Sequence, residues 1–238
     1  LILHEQVTSA CCCDFLIVYL VVLTCIMSFG SFFSCVYIYI TLLIQSAIKL
    51  AQDVTEMTKD VNPDDVEMAL IPPFVFLRDV SKVIEGSAQK VKLGAQNSFY
   101  EDKGAFTGAT SAPMLKSIGT QYCLVGHSER RAIFNELDGD INHVVERLLE
   151  QDITPILCIG ETREEYDLGL NEEVCSLQIK KDLKGLSGEQ VRKIVIAYEP
   201  VWAIGTGLTA TPEIAQSVHA AIQKSLSGSY GKEIADEI

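Results

Sequence analysis

The sequence predicts an α/β fold, a mostly parallel sheet covered by helices on both faces. Three observations carry that prediction. From Ser46 onward, short and continuously apolar segments alternate with helical patterns at intervals of roughly 25 to 40 residues. Those segments lack the polar alternation of a half-exposed strand, so both of their faces need cover. Polar residues then collect where the segments end, at Gln96-Asn97, Gly126-His127-Ser128-Glu129, Cys158-Ile159-Gly160-Glu161 and Glu199-Pro200. In parallel sheets the chemistry sits at that edge, because the loops there are free to vary while the sheet holds them.

Taken in order, residues 46–59 read as a helix, followed by a strand at Val66–Ile71 that Pro72-Pro73 stops. Residues 74–85 read as a helix and 91–95 as a strand. A short helix at 114–118 precedes a strand at Tyr122–Val125, and the residues from Ser128 start another short helix. A helix at 142–151, a strand at Thr154–Ile159, a helix at 172–183 and a strand at 194–198 complete the alternation. Thr211 caps a final helix, with Pro212 in its first position and Glu213 near its positive end.

Residues 1–45 differ from everything after them. Residues 15–44 carry no charge, no Pro and one Gly, and by length and apolarity they form a membrane-span candidate. No Lys or Arg precedes Lys49, so neither a basic signal region nor a positive flank lies on the N-terminal side. The alternatives are a buried strand or helix, or sequence foreign to the functional protein. A chain that begins with Leu reads as a fragment. The net charge of −13 argues against a nucleic-acid surface but not against a small anionic substrate. Eight Cys without a CxxC pair or zinc spacing suggest a reducing, cytoplasmic setting, and no metal is expected.

The most informative stretch is 197–207. An apolar run delivers Glu199 to a strand end, where burial raises a carboxylate toward the range of a useful base. Pro200-Val201-Trp202 forms a stiff start, Ala203-Ile204 follows, and Gly205-Thr206-Gly207 supplies a flexible tip, which together suit a lid. His127 occupies an equivalent strand end at the start of a short helix, a place that favours a neutral imidazole able to polarise a carbonyl. Alone, such a histidine is more often structural; beside Glu199 it becomes an acid–base candidate. His143 and His219 lie on helices and read as structural.

These residues resemble the triosephosphate isomerase family. The resemblance rests on the segments 197–207, Gly126-His127-Ser128-Glu129-Arg130-Arg131, Cys158-Ile159-Gly160-Glu161-Thr162, Gly104-Ala105-Phe106-Thr107-Gly108, Ala95-Gln96-Asn97 and Pro72-Pro73-Phe74-Val75. It covers about residues 46–238, in the family's order. It implies a (β/α)8 barrel that interconverts dihydroxyacetone phosphate and glyceraldehyde 3-phosphate without a cofactor; this family is a worked example of pKa tuning. Glu199 would be the base that moves a proton between C1 and C2, and His127 the neutral electrophile. Residues 200–210 would form the lid, with the Gly205 N–H a phosphate donor. Ser128 and Glu129 would support the pair, while Asn97 and Cys158 would lie near the site. Cys158 also reads simply as a small buried residue. The 97–108 loop, with Phe106 and Thr107 near its tip, would reach into the other subunit of a homodimer.

The same resemblance exposes gaps. The family's first strand ends in a Gly-Asn-Trp-Lys type of motif, yet this chain has no Asn before Asn62 and no Lys before Lys49. Residues 33–44 could mimic that strand without its chemistry. Residues 231–238 resemble the turn before the seventh strand, so the expected barrel is incomplete, with about strands two to six present. Ala109 and Gln223 stand where the family usually has Glu and Arg. The expectation is an isomerase of weak or absent activity. The alternative is an inactive isomerase-like binding module, tethered to a membrane only through 15–44.

Overall fold

The computed structural model describes residues 21–26, 32–37, 43–62, 66–86, 91–204, 206, 208 and 210–238, with backbone alone for the first two segments. The elements run β1 (Val21–Ile26), β2 (Phe32–Tyr37), α1 (Ile44–Met57), β3 (Val66–Ile71), α2 (Leu77–Glu85), β4 (Lys92–Ala95), α3 (Ala112–Ser117) and β5 (Tyr122–Val125). They continue with α4 (Ser128–Ile133), α5 (Asp138–Glu150), β6 (Thr154–Ile159), α6 (Arg163–Asp167), α7 (Asn171–Asp182), α8 (Gly188–Val191), β7 (Val195–Tyr198), α9 (Pro212–Tyr230) and α10 (Lys232–Glu237).

The strands form one sheet in the order β1-β2-β3-β4-β5-β6-β7. Every pair from β2 to β7 is parallel, and β1 alone is antiparallel, with Leu23 opposite Cys35. The sheet curls, so that Cα atoms of β1 come within 8 Å of β7, although no ladder joins them among the described residues. This is an incomplete (β/α) barrel.

Alternation along the strands explains why they are apolar throughout. Ala69, Ile71, Tyr122, Leu124, Ile156, Cys158, Val195 and Ala197 pack together as the inner layer. Their neighbours Leu70, Cys123, Val125, Leu157, Ile159 and Tyr198 point the other way and pack under the helices, with Val80, Leu115, Val145, Leu148 and Ile179. The buried residues of β3 to β7 thus meet a core on one side or the other.

The predicted limits of β3, β5 and β6 agree with the structure. Other elements shift. The 74–85 helix begins as a 3-10 turn, Phe74–Phe76, before α2. The helix expected at 142–151 starts earlier, at Asp138, because Asp138 and Asp140 favour the positive end of its first turn. Within 15–44 the described residues are the strands β1 and β2, Leu43 and Ile44, the last of which opens α1. No helix among the described residues is long and apolar enough to cross a membrane. The antiparallel β1 is an addition that the sequence pattern did not predict.

Candidate active site

His127 and Glu199, 72 residues apart in sequence, meet because β5, β6 and β7 are adjacent parallel strands whose ends share one rim. The turn after β5 places Gly126 at φ +68°, and a side chain there would come within 2.7 Å of the Arg131 guanidinium. Glycine is therefore required by both backbone and space. His127 then caps α4: its carbonyl accepts the Arg130 and Arg131 N–H groups at 2.8 and 3.1 Å. Its Nδ1 accepts the Glu129 N–H at 3.4 Å. An accepting Nδ1 assigns the ring proton to Nε2.

That Nε2 lies 3.2 Å from Glu199 Oε2. Glu199 is 3% exposed. Its N–H donates to the Ile159 carbonyl at 2.8 Å, extending the β6–β7 pairing by one step past the strand. Its Oε1 accepts the Ser128 N–H at 2.5 Å. Among the described residues Oε2 has no hydrogen-bond partner, the contact with Nε2 being one of proximity. Burial pushes the Glu199 carboxyl above its ordinary range, while His127, the Ser128 N–H and Arg131 pull against it without prevailing. Gly160 permits the strand ends to close so tightly, since a Cβ there would stand 1.9 Å from the Glu199 carbonyl oxygen.

The segment expected to act as a lid starts in a buried turn. Pro200 is buried, Val201–Ala203 form a 3-10 turn, and Trp202 and Ala203 are each 6% exposed. Ile204 is half-buried, whereas Thr206 and Leu208 are exposed; Gly205 and Gly207 lie outside the described residues. The anchor is Glu161, a fully buried carboxylate that the sequence pattern places at a strand end without assigning it a role. Its Oε1 accepts the Trp202 indole N–H at 2.7 Å and the Tyr198 hydroxyl at 2.9 Å. Its carbonyl accepts the Val201 N–H at 3.1 Å. Tyr166 of α6 lies against Trp202 with ring centroids 4.3 Å apart. One readable signal was available: a lone buried indole needs an acceptor, and Glu161 ends the neighbouring strand.

The remaining predicted residues take different places. Ser128 supplies a backbone donor to Glu199, and Glu129 holds the imidazole through its N–H, with its Oε2 3.8 Å from Nδ1. Cys158 is wholly buried in the inner layer, in keeping with its reading as a small core residue. Asn97 lines a cavity of about 300 Å³ with Tyr100, Arg130, Phe134 and Asp140. The loop bearing Phe106 and Thr107 is closed at its base by the Phe99 N–H on the Thr110 carbonyl at 2.8 Å, and both residues are exposed at its tip. His143 is exposed and His219 packs edge-on against Tyr198 at 6.1 Å. Among the described residues, no group of three or more His, Cys, Asp or Glu side chains could hold a metal ion.

Comparison with known proteins places the chain in a family. The family model described as triosephosphate isomerase matches residues 39–238, starting seven residues before Ser46. The triosephosphate isomerase of Chloroherpeton thalassium is 45% identical over 192 residues, covering 81% of this chain and 75% of the relative. Those of Cytophaga hutchinsonii and Clostridium novyi are each 44% identical over 195 residues, covering 82% of this chain and 76% of theirs.

Proposed function

The chain belongs to the triosephosphate isomerase family, and from that premise we propose that Glu199 and His127 interconvert dihydroxyacetone phosphate and glyceraldehyde 3-phosphate by enolisation. The observation that carries the proposal is the buried pair itself, with a raised carboxyl whose Oε2 lies 3.2 Å from an imidazole Nε2 and has no hydrogen-bond partner among the described residues. Glu199 takes a proton from C1 of the ketose, and the electron pair moves to form the C1–C2 double bond. His127 Nε2–H donates a hydrogen bond to the carbonyl oxygen and stabilises the charge that develops there. The hydroxyl proton on O1 passes to O2 by way of the imidazole Nε2, and the same carboxyl returns the first proton to C2 as the C1–O1 carbonyl forms, so no cofactor enters. A carboxylate freed from water is the stronger base toward a carbon acid, which is the use of its burial.

The lid excludes water from the enediolate, which would otherwise lose its phosphate. Glu161 fixes the stem of that lid, and the Gly205 N–H is proposed as a phosphate donor. Ser128 and Glu129 hold the reacting pair in register. The strand beside β3 is β2, which carries neither Asn nor Lys, so no cation from that strand meets the substrate. Loss of one such electrostatic contact costs on the order of 10²–10³ in rate, so turnover is expected to be slow.

We also propose a homodimer located in the cytoplasm. The 97–108 loop, with Phe106 41% exposed, and the uncovered Ile133 at the end of α4 with Phe134 and Leu137 after it support a surface meant for a second copy. The test of the reaction is an assay of the purified chain with glyceraldehyde 3-phosphate. Turnover that disappears in Glu199→Gln supports the assignment, and equal turnover in that variant would overturn it.

A further inference from the structure

Beneath the reacting pair lies a cluster that the acid–base chemistry does not use. The Arg131 guanidinium, with its side chain 18% exposed, donates to four acceptors from four elements. Nε donates to the Gly126 carbonyl at 2.7 Å, at the end of β5. Nη1 donates to Asp138 Oδ1 at 2.7 Å, at the start of α5. Nη2 donates to Asp182 Oδ2 at 2.7 Å, on α7, and to the Cys158 carbonyl at 3.3 Å, on β6. Asp182 is fully buried, and its carbonyl is held in turn by Asn142 at 2.8 Å. Lys181 balances Asp138 from the solvent side at 2.9 Å.

The two backbone acceptors are the telling ones. Gly126 immediately precedes His127, and Cys158 immediately precedes Ile159, whose carbonyl holds the Glu199 N–H at 2.8 Å. One planar group therefore ties the backbone beside the imidazole to the backbone beside the carboxylate. The path of Gly126 is shaped around it, since the Cβ position there meets Nη2 at 2.7 Å. A lysine could neutralise Asp182 but could not reach all four acceptors, because its three N–H groups radiate from one atom at the end of a flexible stem.

We infer that Arg131 is a positioning residue for the reaction, a strap that sets the separation and tautomer of His127 relative to Glu199. This rests on the proposed isomerase reading for its catalytic consequence, but the geometry it sets can be read without turnover. Displacement of reacting groups by about 1 Å costs about 10²-fold in rate, so a loss of that size in kcat with little change in KM is expected for Arg131→Lys. A purely structural ion pair would instead lower the folded fraction and leave the kcat of the folded molecules alone.

The experiment compares the unsubstituted chain with Arg131→Lys by nitrogen-detected NMR of the imidazoles. In the unsubstituted chain His127 is expected to show one neutral form, protonated at Nε2. In Arg131→Lys that signature should broaden or split, while His143 and His219 keep theirs. An unchanged His127 signature in the folded variant, or an unchanged kcat, overturns the inference. If Arg131→Lys does not fold, the double variant Arg131→Met with Asp182→Leu removes the strap without stranding a buried charge, and the same signature decides. An unsubstituted chain that shows the His127 signature but no turnover counts against the proposed reaction, not against the strap.

Discussion

Two regions of the barrel meet different demands. From β5 to β7, the strand ends carry His127, Glu161 and Glu199; across the rim Glu199 meets His127 and the Ser128 N–H, and Glu161 meets Trp202. At β1 and β2 the chain also forms strands, and β2 aligns in register with β3 from Phe32 opposite Val66 to Tyr37 opposite Ile71. Yet no ionisable group that could serve a phosphate stands there, because β2 reads Phe-Phe-Ser-Cys-Val-Tyr. A parallel ladder asks only for backbone hydrogen bonds and an apolar, β-prone composition, which many sequences satisfy. Chemistry asks for particular atoms at particular distances. A ladder can therefore be formed by many sequences, while the reacting pair cannot.

The sharpest way to break this contrast is Glu199→Gln. Removing the base should lower turnover by roughly 10³-fold or more, measured with glyceraldehyde 3-phosphate, and a smaller loss would move the chemistry elsewhere. The complementary gain is expected from grafting Asn-Trp-Lys onto the end of β2, which should raise kcat/KM by about 10²-fold if shape is already present and only the cation is wanting. No gain would mean that β2 does not occupy a productive position.

A smaller effect is expected at the stem of the proposed lid. Glu161→Ala leaves the Trp202 indole N–H and the Tyr198 hydroxyl without their acceptor in a buried place, at about 1–3 kcal/mol for each unpaired group. Trp202 is the sole tryptophan, so its emission reports this site alone and should shift to longer wavelength as water enters. An unshifted spectrum together with unchanged stability would remove Glu161 from the account of the lid.

The mildest prediction concerns pH. Burial pushes the Asp182 carboxyl up to about 7, against the pull of Arg131. A carboxyl raised in the fold binds more protons there than in the unfolded chain, where its value is about 3.9. The stabilisation linked to that proton is complete below the unfolded value and is lost as pH rises through about 7. Melting temperature should therefore fall across that window, and Asp182→Asn should flatten the slope. The Glu199 carboxyl, also raised, adds the same sign to stability, while activity rises as it ionises.

Much of the fold was legible residue by residue. Val66–Ile71 could be read as a strand because six apolar-rich residues end at Pro72-Pro73, and Thr211-Pro212 marks the start of α9 by capping. The short helices α6 and α8 leave a fainter trace. Thr162 with Glu165, and Ser187 with Gln190, are capping boxes, but helices of five and four residues have no apolar stripe to follow. The antiparallel β1 had no signal of its own, because direction of pairing depends on what lies beside a strand.

The sequence by itself determined the alternation of strands and helices, the rim on which chemistry would sit, and the candidates Glu199 and His127. Local spacing carries such information, since apolar runs, caps and turn residues act within a few positions. Tertiary structure decided what those residues touch: that Ser128 holds one carboxylate oxygen, that Glu161 receives Trp202, and that Arg131 reaches Asp182, 51 residues away. Those contacts arise from how three parallel strands and their helices stack, and no pattern within any one segment encodes the distance between two of them.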